Sequence, residues 1–242
     1  MSKWYVYCLG DEVTNEMLGS ARGLNDAPLG LVEYGSLAAV VSPFEGERVN
    51  VTTENAHTHD RVNAALLARS TPLPFRFGTL ADEGRLVSFM ESQGDSLRAA
   101  LGRVRGCVEM SVKIIWDVAA VRRESAGPEP ETPAEGNSGG GESETAFLLS
   151  KRREMMDGEA LRVRAEAVAE WFGGSLSDVV RESRVTVNPS GALVVRAAHL
   201  VERGRIEEYR ARVESLGEER AGSLRFLKSD ASPPYSFGDV RP

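Results

Sequence analysis

Three histidines raise the question of metal binding or acid–base chemistry. His57 and His59 stand two apart near a predicted helix start, so they do not share a helix face as ligands spaced four apart would. No third donor is near them in sequence, and a metal site needs more N, S or O ligands. We therefore predict polar helix-start residues and no metal site. His199, in an apolar strand, is predicted to be a core or edge histidine with a hydrogen-bond partner, or a partner contact.

The cysteines and a run of glycines are the next candidates. Cys8 and Cys107 have no C-x-x-C partner and no adjacent base, so both are predicted to be small buried side chains. Residues 139–141 are glycines in an acidic context, without the following Lys-Ser/Thr of a phosphate loop. These observations favour a non-enzymatic protein with no catalytic residue, no metal and no cofactor.

Residues 73–79, LPFRFGT, place one arginine between two phenylalanines. The prolines nearby favour an extended chain, with Phe75 and Phe77 on one face and Arg76 on the other. Gly78 permits the turn that follows.

Arg76 has two interpretations. It is a structural arginine, satisfying carbonyls or pairing with a carboxylate such as Glu109 or Asp60, or it is a docking point for a partner. The second interpretation rests on the enrichment of arginine and aromatic residues in interface hot spots.

A second segment of interest, PPYSF, spans residues 233–237. It is either a tail docked on its own domain by the rings of Tyr235 and Phe237, or a short recognition segment in polyproline form. The sequence favours neither alternative.

The elements that position these residues predict an α+β protein of two domains, 1–105 and 106–242. Each is predicted to be an antiparallel sheet with helices on one face. The order strand, helix, strand, strand, helix, strand makes the second domain ferredoxin-like, and the first is a modified version of that fold. Residues 229–242 form a C-terminal tail.

Individual elements follow from local patterns. Thr53 is expected to cap a helix reaching about Arg69, and Asp82 a helix to about Val104 that Gly94 weakens. A long helix from about Ala146 is expected to end before the glycines at 173–174. Residues 108–116 alternate as a half-buried strand, with Glu109 on the outer face.

Residues 125–145 are a low-complexity stretch with five glutamates and no lysine or arginine, predicted to be a flexible acidic loop. We prefer to place it as an insertion within the second domain; the alternative is an interdomain linker. The stretch holds five of the seven net negative charges of the chain, so the remainder is near neutral. That balance argues against nucleic acid and anionic lipid as partners. The absence of a long apolar stretch and of a disulfide framework predicts a cytoplasmic protein without a membrane helix.

Taken in order, these segments resemble the gas vesicle protein F/L family (GvpF/GvpL), and the resemblance spans nearly the whole chain. The matching segments are an opening strand at residues 5–7, GSLAAVVS at 35–42, His59, the LPFRFGT segment, a strand with Gly106, Glu109 and Trp116, and PPYSF at the end. Residues 230–232 depart from the Gly-Pro-Trp often found there in the family, and the acidic loop is longer than its norm.

The resemblance implies two ferredoxin-like domains and a non-enzymatic accessory or minor structural protein. Such a protein is associated with nucleation and assembly of the gas vesicle, at the vesicle and on the gas-facing side of its wall. Its implied partners are the small hydrophobic shell protein and other gas vesicle accessory proteins.

The candidate structural or partner-contact residues are Pro74, Phe75, Arg76, Phe77, Gly78, Thr79, His59, Glu109, Pro233, Pro234, Tyr235 and Phe237. The alternative function is a small-molecule-binding or enzymatic pair of ferredoxin-like domains, which would need a polar cavity lined by residues such as His59, Arg76 and Glu109.

Overall fold

The computed structural model describes residues 3–116, 142–188 and 193–238. The strands are β1 (Lys3–Asp11), β2 (Gly30–Tyr34), β3 (Leu37–Phe44), β4 (Leu73–Pro74), β5 (Leu80–Ala81), β6 (Cys107–Trp116), β7 (Glu182–Val187), β8 (Leu193–Glu202) and β9 (Leu224–Lys228). The helices are α1 (Asn15–Leu18), α2 (Thr53–Leu67), α3 (Glu83–Ser92), α4 (Gly94–Val104), α5 (Glu142–Leu176) and α6 (Ile206–Glu219), and short 3₁₀ turns span Leu24–Asp26 and Arg203–Arg205.

These strands form two antiparallel sheets. The first has the order β2-β3-β1-β4, with β5 also paired to β1, and the second has the order β7-β8-β6-β9. The architecture confirms the predicted α+β class with two antiparallel sheets and helices.

The described part of the chain divides into two compact units. The first comprises residues 3–110, 199–206 and 229–238, and the second comprises residues 111–116, 142–188, 193–198 and 207–228. The units are therefore discontinuous in sequence. The division into separate domains at residues 1–105 and 106–242 stays a prediction.

β6 belongs to the second sheet, where Val112 to Trp116 pair with β9. The insertion interpretation of the acidic stretch requires this pairing, because it makes the strand before the stretch part of the second domain. Residues 125–141 of that stretch lie outside the described residues, and 142–145 begin α5.

The core of the first unit surrounds β1, the interior strand on which β3, β4 and β5 pair. Its residues from Tyr5 to Leu9 are fully buried, so both faces of the strand are covered. A continuous apolar run is the sequence pattern of such a strand. The β2–β3 hairpin turns at Gly35, whose φ of 60° suits the first central position of a type II′ turn.

Three helix predictions need correction. Thr52, not Thr53, caps α2, where its Oγ1 accepts a hydrogen bond from the Asn55 backbone at 3.2 Å. The helix predicted from Asp82, which does cap α3, is interrupted at Gln93 and resumes as α4 at Gly94, where helix propensity is lowest.

The third correction concerns α5, which continues through the glycines at 173–174 to Leu176. Phe172 and Leu176 are buried on either side of these glycines, so tertiary packing outweighs their helix-breaking tendency. None of the described helices is long and apolar enough to cross a membrane.

The prediction of a half-buried β6 holds only in part. Lys113 is exposed between the buried Val112 and Ile114, as alternation requires. Glu109, placed on the outer face by the pattern, is only 5% exposed. A C-terminal segment covers it, as described below.

Candidate functional site

The C-terminal segment of residues 232–238 is docked on the first unit. We call the side chains that hold it the tail site, defined as His59, Asp60, Asn63, Arg103 and Glu109. α2 presents the first three, and His59 and Asn63 share a helix face because they are four residues apart. PPYSF is therefore a docked tail in this structure, but it packs mainly on α2 and Arg103 of the first unit and not, as predicted, only on its own domain of residues 106–242.

A chain of hydrogen bonds runs from β1 through α2 to the tail. Tyr5 Oη lies 2.8 Å from His59 Nδ1, and Asn63 Nδ2 lies 3.0 Å from His59 Nε2. The same Nδ2 donates to Tyr235 Oη at 2.9 Å, and Tyr235 Oη donates to Asp60 Oδ1 at 2.7 Å. Five residues from three distant parts of the sequence thus share one polar network.

The carboxylate of Asp60 fixes the direction of the bonds at Tyr235. Tyr235 has a single proton and gives it to Asp60, so its oxygen accepts from the amide nitrogen of Asn63. The two ring nitrogens of the neutral His59 face Tyr5 Oη and Asn63 Nδ2, and the tautomer of the ring sets the direction of these two bonds. The remaining amide atom, Asn63 Oδ1, is buried without a hydrogen-bond partner among the described residues.

His59 is neutral in this site. Burial, with the side chain 2% exposed, lowers its pKa to about 4, and the nearby Asp60 opposes this effect only in part. Burial also raises the pKa values of Tyr5 and Tyr235. These three side chains therefore keep their protons, and their hydrogen bonds, unchanged around neutral pH.

Aromatic rings enclose His59. Its ring stacks on Tyr7 at 5.8 Å between centroids, and it meets Tyr5 and Phe77 edge to face at 5.7 and 5.9 Å. Tyr235 covers it from the tail at 6.1 Å. Such packing supplies the low-dielectric environment that keeps the imidazole uncharged.

Glu109 anchors the tail at a second point. Its Oε2 accepts from the Ser236 backbone N–H at 2.6 Å and its Oε1 from the Ser236 hydroxyl at 2.8 Å. The backbones of Glu109 and Ser232 also exchange two hydrogen bonds of 2.8 and 2.9 Å, which add a short β-bridge to β6. The charge of the Glu109 carboxylate strengthens the two bonds that it accepts from Ser236.

Apolar contacts complete the docking. Phe237 is fully buried, Pro233 and Pro234 are buried, and Arg103 donates to the carbonyl oxygen of Phe237. The tail is thus held by side chains, backbone pairing and burial together.

The LPFRFGT segment builds a turn beside the tail site. Thr79 donates from its hydroxyl to the carbonyl of Arg76 at 2.6 Å, and Gly78 takes a φ of 87°. Phe75 is fully buried and packs near Phe89, whereas Phe77 packs near His59, so the two rings do not meet the same neighbours. The extended part of the segment is shorter than predicted, since only Leu73–Pro74 forms a strand.

The predicted site residues differ in burial. Arg76 is exposed, and the carboxylates proposed as its partners, Glu109 and Asp60, accept hydrogen bonds from the tail.

His59 is a buried core residue, so its prediction as a polar helix-start residue is wrong, whereas His57 is exposed. His199 is fully buried, which confirms its core placement, and burial lowers its pKa to about 4.

Sequence reasoning missed Asn63, Asp60 and Ser236 as members of the network. Asn63 had a usable signal, because it follows His59 by four residues on a helix face that also carries Val62 and Leu66. No local sequence pattern marks Asp60 or Ser236, since each makes its hydrogen bonds only when the tail is docked.

The chemistry of the tail site is binding of a chain segment. Its neutral imidazole and protonated phenols are engaged within the fold, and Glu109 is engaged by Ser236. No group of three or more His, Cys, Asp or Glu side chains in the described ranges is placed to hold a metal ion. Cys8 and Cys107 are both buried.

Comparisons with known proteins point the same way as the motifs. The model of a family described as gas vesicle synthesis protein GvpL/GvpF matches residues 3–239. Gas vesicle protein L1 of Halobacterium salinarum is 26% identical over 255 residues, covering 96% of this chain and 89% of that protein. Gas vesicle protein F of Dolichospermum flosaquae is 22% identical over 256 residues, covering 98% of this chain and 97% of that protein.

Solved structures match the fold. The crystal structure of GvpF from Anabaena sp. PCC7120 superposes with a TM-score of 0.78 at 19% identity and covers 100% of this chain and 98% of its own. GvpF from Microcystis aeruginosa gives 0.75 at 18% identity, covering 99% of this chain and 100% of its own. At such identities the likeness concerns the fold alone.

Proposed function

Because this chain belongs to the gas vesicle synthesis protein GvpL/GvpF family, we propose that it is a non-enzymatic accessory or minor structural protein that binds the small hydrophobic shell protein. In this role it supports gas vesicle nucleation and assembly. The observation that carries the proposal is the family match over residues 3–239, almost the whole chain. The similar proteins are named as gas vesicle proteins, not as enzymes.

Sheet edges offer the means of holding such a subunit. β2 and β7 each end a sheet, so one side of each strand can pair with an added strand. β7 has no buried residue along its length. A shell segment bound in this way would be kept from aggregating until it joins the wall. The protein would then act in the cytoplasm at the gas vesicle, on the gas-facing surface of its wall, with other accessory proteins as partners and neither nucleic acid nor lipid membrane among them.

The candidate residues are proposed to divide by burial. Phe75, Glu109 and Phe237 are buried and serve to dock the tail and complete the first unit. Arg76 is exposed beside them and is the candidate partner contact of its segment. Arginine at a protein interface can bind carboxylates through two parallel hydrogen bonds.

We also infer a ferredoxin-like arrangement for the second sheet and a modified one for the first. The support is the order of described elements β6, α5, β7, β8, α6 and β9, which matches the split β-α-β pattern. The spatial order β7-β8-β6-β9 places the first and last of these strands side by side.

Co-expression with the shell protein tests the proposal. A tagged full-length chain should retain the shell protein in a pull-down, and removing the chain from a gas vesicle gene set should reduce vesicle number. The tag alone is the control for capture. Normal vesicles without the chain, together with no retained shell protein, would overturn the proposal.

A further inference from the structure

The second unit contains a pocket built mainly from two tryptophans. It has a volume of about 240 Å³ and lies among residues of α5, the end of β6 and the start of β9. We call it the tryptophan pocket, lined by Trp116, Trp171, Val168, Leu224, Arg164 and Arg220. It lies outside the tail site, and none of the motifs discussed above except Trp116 contributes to it.

Ring packing holds the pocket wall in place. Trp171 meets Phe226 edge to face at 6.4 Å between centroids, and the fully buried Phe172 meets the same ring at 5.5 Å. The guanidinium carbon of Arg220 lies 4.8 Å from the centre of the Trp171 ring. Aromatic and cation–π contacts of this kind orient side chains before any partner arrives, which lowers the entropy lost on binding.

The lining combines an apolar surface with positive charge. Arg164 and Arg220 contribute two guanidinium groups, and none of the lining residues in the described part of the chain is acidic. Glu219 pairs with Arg220 at 3.6 Å from outside the pocket. In a chain of net charge −7 this is a local positive site, which complements a carboxylate next to an apolar side chain.

The size of the pocket restricts its occupant. Sites for drug-sized ligands occupy roughly 300–1,000 Å³. A volume of about 240 Å³ is below that range and suits one large side chain. Tryptophan and arginine are also the residue types that dominate binding energy at protein interfaces. The occupant therefore belongs to a protein segment.

We propose that the tryptophan pocket receives one large apolar side chain of a gas vesicle shell subunit, from a segment that carries a carboxylate beside that side chain. The inference rests on the proposed binding of the shell protein and names the place where it anchors. It differs from strand addition at a sheet edge, because the pocket selects a side chain and an edge pairs backbone.

Two substitutions in the full-length chain test the proposal from different directions. Ala167 is an exposed residue of α5 that lines the pocket, so Ala167→Leu fills the space while leaving the core intact. Arg220→Glu reverses the charge at the opening. The matched controls are Ala160→Leu, exposed on the same helix, and Arg225→Glu, exposed on β9, neither of which lines the pocket.

Retention of co-expressed shell protein is measured for each chain, beside its thermal unfolding. We expect both pocket variants to retain about 10-fold less shell protein than the unsubstituted chain, as for an interface hot spot, and both controls to stay within about twofold. Unchanged unfolding temperatures would show that the loss is local. If Ala167→Leu fails to fold, Arg220→Glu alone decides the test.

The outcomes separate the two proposals. If the unsubstituted chain retains shell protein and the pocket variants match their controls, the pocket proposal is wrong and the proposed function stands. If the unsubstituted chain retains none, the pocket proposal is wrong, and the proposed function is wrong as well if vesicles form normally without the chain. A change in the oligomeric state of the pocket variants with normal shell retention would assign the pocket to a second copy of this chain and overturn the proposal.

Discussion

Tyr235 donates its phenolic proton to Asp60 at 2.7 Å, although 175 positions separate them in the sequence. The next residue, Ser236, is bound by Glu109 through both its backbone N–H and its hydroxyl. Two adjacent residues of the tail therefore reach α2 and β6 at the same time. The segment is part of the hydrogen-bond network of the first unit, so its removal should destabilise the core of that unit.

Replacing Tyr235 with phenylalanine should loosen this docking. The ring stays, but Asp60 loses a donor and the buried Asn63 loses an acceptor. Asp60 is exposed and regains water, so the expected fall in the free energy of unfolding is about 1–2 kcal/mol. Urea unfolding measures the change. Tyr34→Phe, at the end of the edge strand β2, is the matched control. Its hydroxyl is hydrogen-bonded to the exposed Glu91 at the surface, where water replaces the lost bond, so this variant should stay within about 0.5 kcal/mol. Equal losses in both variants would contradict the assigned role of Tyr235.

Replacing Glu109 with glutamine should release the tail more locally. Glutamine keeps the shape but offers one acceptor oxygen where Ser236 now uses two. We expect the amide hydrogen of Ser236 to exchange roughly 10-fold faster, as for a loss of about 1.4 kcal/mol. Glu207→Gln, on the exposed side of α6, should leave that exchange rate unchanged. An unchanged rate at Ser236 in Glu109→Gln would show that the carboxylate does not hold the tail.

Much of the fold could be predicted because its signals are local. The alternation along β6 and the Asp82 cap of α3 each depend on a few neighbouring residues. The alternatives left open for the tail could not be resolved from sequence, because both use the same apolar residues. Docking depends on side chains of α2 and β6 that are far away in the chain.

The misplacement of His59 and Glu109 has the same cause. Each looks polar and exposed in its own element. The tail covers Glu109, and the rings around His59 include Tyr235 of the tail. His59 nevertheless stands three residues before Val62 and seven before Leu66, so it shares the apolar face of α2. Helical periodicity should therefore have outweighed residue type there.

Acid should weaken the first unit through its buried histidines. Burial lowers the pKa of His59 to about 4 from its ordinary 6.5, so between these values the unfolded chain binds a proton that the folded chain excludes. Its stabilising contribution is complete above pH 6.5 and is lost as the pH falls toward 4. A shift of that size corresponds to about 3 kcal/mol. His199, with its pKa also lowered to about 4, acts in the same window and direction.

Urea unfolding between pH 7 and pH 4 measures this loss. The variant His59→Leu removes one of the two titrating groups, so the slope of stability against pH should fall by roughly half. His57→Gln, at an exposed position on the same helix, should leave the slope unchanged. A slope that survives in His59→Leu would show that other groups cause the acid sensitivity.

Glycine at position 23 should be required by the close approach of Tyr7. A Cβ atom there would lie 2.3 Å from Tyr7 Oη and 2.8 Å from Ser42 Oγ, far inside contact distance. Those two oxygens are hydrogen-bonded to each other at 2.9 Å, and Tyr7 Oη also accepts a hydrogen bond from the Leu24 backbone N–H at 2.8 Å. Gly23→Ala must therefore displace a buried network, and we expect a loss of about 1–3 kcal/mol in the free energy of unfolding. Gly30→Ala is the control, since nothing lies within 4 Å of its Cβ, and it should be neutral or slightly stabilising. Equal stabilities of the two variants would mean that Tyr7 and Ser42 can move apart without cost.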